Sequence, residues 1–448
     1  MIFEVVNMSI YRVHNMLITL GICFLPIIGS FRTYNGANLL GGFGEDASTY
    51  PLLLGVLFWL IGVVINKKIH LPNSITFYIC LLFIFSIVVS DIVNFKNIIL
   101  EQRTSQNAVN RMIIQFGTVF IYGLVSVYIY NFFKVYQIDA VKYIEKRIIA
   151  SFLLAGAYSF IEILSYTGTP FIDILIFIDE IIRGGYNMYP FRIRLLGFEA
   201  SVFGTYLSVA CPLILYKAIN SKKYTCLAVY MLLLTGLSFS RTAYVIVFVE
   251  TVLLFILYRN YLIHHSKKIF VGIMILLLMS SFAANYMENT YNIKLMEPAQ
   301  IIDSLAGESE THEMSNLTRV GSQMAGYNIF FDNPFVGVGW GQGTFYLNDY
   351  YPSWARQSWE VAVKFRDHPI IFGVYPRVLA ELGLLGFVSW VSLWMLVVYK
   401  LFCLNNNVFA IMMIGILLSG MNMDIVRFYI YWIMLGMVWY ISDNNIED

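Results

Sequence analysis

Long apolar runs alternate with short polar connectors from one end of the chain to the other. Twelve such runs lie near 12–30, 51–66, 74–92, 112–133, 149–166, 197–216, 224–239, 242–258, 269–285, 375–399, 408–422 and 426–441. Runs of roughly 17 to 25 residues suit a hydrocarbon core of about 30 Å, so the pattern predicts an all-α integral membrane protein of about twelve transmembrane helices. The stretch 224–258 is too long for one span at 1.5 Å rise per residue. Two helices turning outside at Ser238 to Arg241 fit it better, and that turn takes Arg241 away from the bilayer centre, where an arginine is costly.

Nine runs precede a polar stretch at 286–374 and three follow it, an asymmetry that argues against a transporter of two similar halves. The expected organisation is therefore helices 1–9 over 1–285, one large outer loop at 286–374, and helices 10–12 with a short inner tail over 375–448. The loop runs from acidic GESETHE (307–313) through a Gly-rich segment to aromatic YLNDYYPSWARQSWE (346–360). It is too aromatic for a simple disordered linker, and short helices covering the outer mouth as a lid are expected. Another outer segment, 170–194, has apolar residues at helical spacing with Asp173, Asp179, Glu180 and Arg183 between them. It reads as a helix along the membrane surface, with a partial thirteenth span as the alternative.

Composition agrees with the pattern: 58% of residues are hydrophobic and 13% charged, too few polar groups to cover a soluble globule. The first run lacks a clear cleavage site before Arg32 and is expected to stay as an anchor. With the N terminus inside, Lys67-Lys68, Lys134 to Arg147, Lys217 with Lys222-Lys223, and Arg259 to Lys268 all fall on the inner side, as the positive-inside rule requires. The C terminus is then inside too. Four of the five cysteines sit within the predicted spans and Cys403 just past the tenth on the inner side, so no disulfide framework is legible for the outer loops.

That topology sorts the 29 basic residues into 11 Lys and 3 Arg inside, 3 Lys and 12 Arg outside. Orientation needs positive charge of either kind, whereas planar bidentate recognition of phosphate favours arginine. Arg194 (with Arg192), Arg241, Arg319 and Arg377 stand out as anion-binding candidates near the starts of helices or in the loop. His368, in Asp367-His368-Pro369, is a candidate general base. Glu199 and Glu381, each a few residues past a leading arginine, read as arginine partners or catalytic carboxylates. Tyr346, Tyr350, Tyr351, Trp354 and Trp359 read as sugar-stacking residues or as an interfacial belt. Glycines 337, 339, 341 and 343 suggest tight chain reversal with close backbone approach. There is no Asp-x-Asp pair, zinc-ligand spacing or Walker loop, so neither a metal nor another cofactor is expected, and nothing points to nucleic acid.

Residues 190–390 resemble the superfamily of Wzy-type O-antigen polymerases and O-antigen ligases. The resemblance rests on four pieces in order: Arg194 with Gly197 and Pro212; Ser240-Arg241 in SFSRTA; Arg319, Pro334, Gly337 and Gly339; and Glu381, Gly383 and Gly386 in VLAELGLLGF. It implies glycan transfer from an undecaprenyl-pyrophosphate carrier to an acceptor hydroxyl on the periplasmic face of the bacterial inner membrane. Arg194, Arg241 and Arg319 match the family's pyrophosphate-holding arginines, and a histidine late in the loop assists the acceptor. Ligase-like sequences have His-Asn about nine residues before the glutamate, where this chain has Phe372-Gly373; His368 lies four residues earlier. That departure favours a polymerase, with a Wzz-type chain-length regulator as the expected partner. A ligase using lipid A-core, or a flippase of lipid-linked glycans, are the alternatives.

Overall fold

The computed structural model describes residues 2–31, 43–101, 107–166, 168–183, 193–259, 314–360 and 369–444. Among the described residues the regular structure is entirely helical. The main helices are α1 (Ile2–Cys23), α2 (Thr49–Asn66), α3 (Ile75–Val93), α4 (Phe95–Leu100), α5 (Ala108–Tyr136), α6 (Ala140–Ser165), α7 (Thr169–Arg183) and α8 (Ala200–Asn220). They continue with α9 (Thr225–Ser238), α10 (Arg241–Leu257), α11 (Met314–Asp332), α12 (Gly343–Tyr350), α13 (Val374–Cys403), α14 (Asn407–Ser419) and α15 (Tyr429–Asn444). Six are long and apolar enough to cross a membrane: α2, α3, α5, α6, α8 from Val202, and α13. The other described apolar runs form α1, α9, α10, α14 and α15. The run at 269–285 lies outside the described residues.

Burial is densest around α8, whose Phe203, Tyr206, Leu207, Ala210 and Ile214 are all buried. Packed along α5, α15 is short yet buried from Tyr429 to Val438, with aromatic side chains around it. Tyr431 packs edge-on against Trp394 with centroids 4.6 Å apart, and Tyr429 against Tyr122 at 4.8 Å.

As expected, residues 224–258 form two helices. Phe239 takes a left-handed φ of 47° at the end of α9, and Ser240 caps α10 by accepting the Ala243 N–H at 3.4 Å. Helix α7 departs from the plain surface-helix pattern. Ile174, Phe177 and Ile181 are exposed, while Asp179 and Arg183 are buried, so its acid and base point into the protein.

The feature that organises the 314–385 region is a break in α13. At Gly383, φ 61° and ψ −157° are not helical, so Leu384 N–H and Leu385 N–H leave the Ala380 and Glu381 carbonyls that an unbroken helix would give them. All four groups pair with the Gly-rich loop. Val338 N–H donates to the Ala380 carbonyl and Gly339 N–H to that of Glu381, both at 3.0 Å; Leu384 N–H donates to Pro334 at 2.8 Å and Leu385 N–H to Phe335 at 3.3 Å. Asn94, the residue that ends α3, adds a bond to the Gly337 carbonyl at 3.0 Å, and Ser90 Oγ donates to the Glu381 carbonyl at 2.9 Å. A buried backbone group left without a partner would cost roughly 1–3 kcal/mol, so the loop and the break require each other.

Both strands of this contact need glycine. A Cβ on Gly337 would run into the Glu381 carbonyl carbon, one on Gly383 into the Phe335 carbonyl carbon, and both residues have positive φ. Gly383→Ala and Gly337→Ala should each lower the melting temperature of detergent-solubilised protein, the positive-φ backbone alone costing about 1–3 kcal/mol. Gly62→Ala, in α2 with open space around it, should leave the melting temperature unchanged or raise it.

Candidate functional site

The break in α13 places a charged cluster next to the loop. Glu381 Oε2 accepts the Gly341 N–H at 2.9 Å and Arg377 Nε at 3.0 Å, and its Oε1 accepts the Gly343 N–H at 3.2 Å. Arg377 also donates Nη1 to Asp424 and Nη2 to Gln115 Oε1 at 2.9 Å. Its guanidinium lies 4.4 Å from the Trp340 ring centroid. Trp340 N–H donates to Asp91 Oδ1 at 2.7 Å, and Arg111 Nε to the Gly341 carbonyl at 2.6 Å. Every nitrogen of Arg377 thus faces a protein acceptor, and both oxygens of Glu381 face protein donors. The cluster ties α3, α5, α13 and the α14–α15 connection to one loop.

A second cluster anchors Arg194. Its Nη2 donates to Asp179 Oδ2 at 3.1 Å, and its backbone N–H to Glu162 Oε1 at 3.3 Å. Asp179 Oδ1 accepts Arg183 Nη1 at 2.6 Å and the Tyr158 hydroxyl at 2.7 Å. Arg183 Nη2 reaches the Leu195 and Gly197 carbonyls, each at 3.0 Å. Two arginines face two acids in a buried site, which balances charge that would be prohibitive alone. The result is a fixed 193–198 segment, further tied by Ile193 N–H to the Leu237 carbonyl at 3.2 Å.

That tie brings the ends of α8, α9 and α10 together. Gly204 in the first turns of α8 lies so close to α10 that a Cβ there would sit 2.8 Å from the Ala243 nitrogen. Glu199 precedes α8, Arg241 opens α10, and Arg319 on α11 reaches Glu199 at 3.9 Å. Arg319 also lies 5.8 Å from the Phe372 ring centroid, and Phe372 N–H donates to Ser322 Oγ at 3.1 Å. Arg241, Glu199 and Arg319, distant in sequence, therefore stand at one end of the bundle, beside the N termini of α8 and α10. Both helix termini carry partial positive charge.

The aromatic candidates divide. Tyr351 and Trp359 are buried and pack at a tilt with centroids 5.3 Å apart, with the Tyr351 hydroxyl donating to the Thr318 carbonyl at 3.2 Å; they form the small core under α11. Tyr346 packs against that core. Tyr350 donates to Asp332 at 2.6 Å, a bond that pushes its phenol up to about 12. Trp354 is exposed. His368, together with Arg192 and GESETHE, lies outside the described residues. The sequence reading did not select Asp424, Gln115, Arg111, Asp91 or Glu162; their signal was a polar or charged side chain in or beside an apolar run.

The fold and this end of the bundle define a helical membrane protein with arginines and acids gathered beside a loop-bearing segment. Residues 226–391 match the O-antigen ligase family model, so this stretch is a domain of that family, consistent with the O-antigen polymerase/ligase superfamily, and it supports polymerase- or ligase-type activity. A search of curated proteins returned no match.

Removing one partner of a buried ion pair costs about 3–5 kcal/mol. Arg377→Ala and Asp424→Ala should therefore sharply lower the thermal unfolding temperature in detergent. Trp354→Ala, at an exposed position, should leave it within experimental error.

Proposed function

We propose that the chain is an O-antigen polymerase, a metal-independent glycosyltransferase that moves a growing polysaccharide from undecaprenyl pyrophosphate onto a lipid-linked repeat unit. The observation that carries this reading is the Arg319–Glu199 pair just before α8, with Arg241 opening α10, whose first turn lies against α8 at Gly204. The acceptor hydroxyl oxygen bonds to the donor's anomeric carbon as the bond from that carbon to the pyrophosphate oxygen breaks, and the electron pair leaves with the pyrophosphate. Negative charge grows on that oxygen, and guanidinium groups held in place stabilise it more in the transition state than in the ground state.

In this proposal Arg241 and Arg319 contact the pyrophosphate. Arg194 and Arg377, engaged by carboxylates, act as positioning residues. Glu199 takes the acceptor's proton, with His368 the second candidate for that role. Glu381 holds the loop, and Trp354 with Tyr346 offers ring faces to the glycan. The proposed setting is the bacterial inner membrane with about twelve spans over 1–285 and 375–448, both termini cytoplasmic and the 286–374 segment periplasmic. A Wzz-type chain-length regulator is the proposed partner.

The printed family description favours a second reading, an O-antigen ligase acting on lipid A-core. Cells lacking the gene separate the two: core bearing a single repeat unit is expected for a polymerase, bare core with accumulated lipid-linked polymer for a ligase. Lysine keeps the charge but loses the bidentate fork. Arg241→Lys and Arg319→Lys should each reduce polymer formation about a hundredfold or more while the protein stays in the membrane. Full-length polymer from both variants would refute the pyrophosphate site.

A further inference from the structure

One face of α11 packs inward through Leu317, Ala325 and Ile329, and Gly326 lies against Ile371 and Pro376. The other face carries Val320, Met324, Tyr327 and Phe331, spaced by four, three and four residues, which places them in one stripe along the helix. All four are exposed, Phe331 at 72%, and Phe335 just beyond the helix is exposed at 75%. Asp332, the acid at that end, is turned to the Tyr350 hydroxyl. A stripe of this size without charge is not a water-facing surface.

Its depth follows from the break in α13. Below Gly383, Leu384–Cys403 makes about 30 Å of helix at 1.5 Å per residue, the thickness of a hydrocarbon core. The break therefore stands at one edge of that core, and the Phe335 carbonyl is bonded to Leu385 there. Leu384, Leu385 and Val388, the first turns of α13 below the break, are themselves exposed. Phe335, four residues past Phe331, joins the α11 stripe to this surface through its bond to Leu385.

We infer that α11 is a membrane-interface helix: its Val320–Phe331 stripe and Phe335 lie against the lipid acyl chains of the adjoining leaflet. This part of the segment expected to cover the outer mouth is then held at the bilayer edge, with Arg319 at the opposite end of α11 from Phe331. The occupant is the bilayer itself, because the stripe continues the surface that α13 already presents to it. This inference rests on the membrane reading of α13 and not on the glycan-transfer proposal.

The test uses the full-length protein in phosphatidylethanolamine–phosphatidylglycerol vesicles containing a phospholipid with a photoreactive diazirine in its acyl chain, without substrate, the cross-linked residues being mapped by mass spectrometry. Cross-links at Met324, Phe331 and Phe335 with a yield comparable to that at Leu384 and Val388, and background yield at exposed Asn348, are expected. Phe331→Asp with Phe335→Asp should lose the α11 cross-links and keep those on α13. Cross-links on α13 with none on α11 would overturn the inference. So would protein–protein cross-links in their place, which would show the stripe covered by a second copy or by another part of this chain.

Discussion

The interaction on which the rest depends is the exchange of backbone hydrogen bonds between the broken helix at Gly383 and the loop 334–339. A helix interrupted near a membrane must satisfy two carbonyls and two N–H groups that water does not reach, and here one loop satisfies all four. Because that loop leads directly to Trp340, Gly341 and Gly343, the same contact delivers backbone donors to Glu381 and fixes Arg377 beside Asp424. The 314–385 segment is thus joined to the helical bundle through backbone geometry and a buried charge cluster.

Two kinds of arginine follow from this construction. Arg377 and Arg194 sit among carboxylates in buried sites, Arg377 balanced by Glu381 one turn along its own helix and by Asp424, and Arg194 by Asp179 on α7. Arg319 stands next to Glu199 and Phe372, and Arg241 opens α10 where it packs on the start of α8. The rigid clusters set the spacing of the helix ends, and the helix ends set the proposed anion site. Preorganisation of this sort is what lets fixed dipoles and guanidiniums act on a developing charge without rearranging first.

Much of the fold was legible because apolar periodicity and length are local properties. The helix pair split at Ser240, the helical character of the runs, and the demand for glycine at 337 and 339 all came from spacing and from the overlength of 224–258. Partner choice was not legible. Glu381 read equally as partner or catalyst until its oxygens were seen facing Arg377, Gly341 and Gly343, and Asp424 drew no notice because its arginine is 47 positions away. Tyr351 and Trp359 looked like sugar platforms because aromatic composition alone does not distinguish a small core from a binding face. In α7 the helical spacing was legible but the pairing was not: Asp179 is buried where Arg183 and Arg194 neutralise it.

The most direct measurement is carrier binding by the purified protein, read by native mass spectrometry with undecaprenyl pyrophosphate and undecaprenyl monophosphate in competition and a chelator of divalent cations present. The account predicts retention of the diphosphate carrier in preference to the monophosphate, and loss of that preference when Arg241 and Arg319 are both replaced by glutamine. Equal retention by the doubly substituted protein, or binding that appears only when magnesium or manganese is restored, would contradict it.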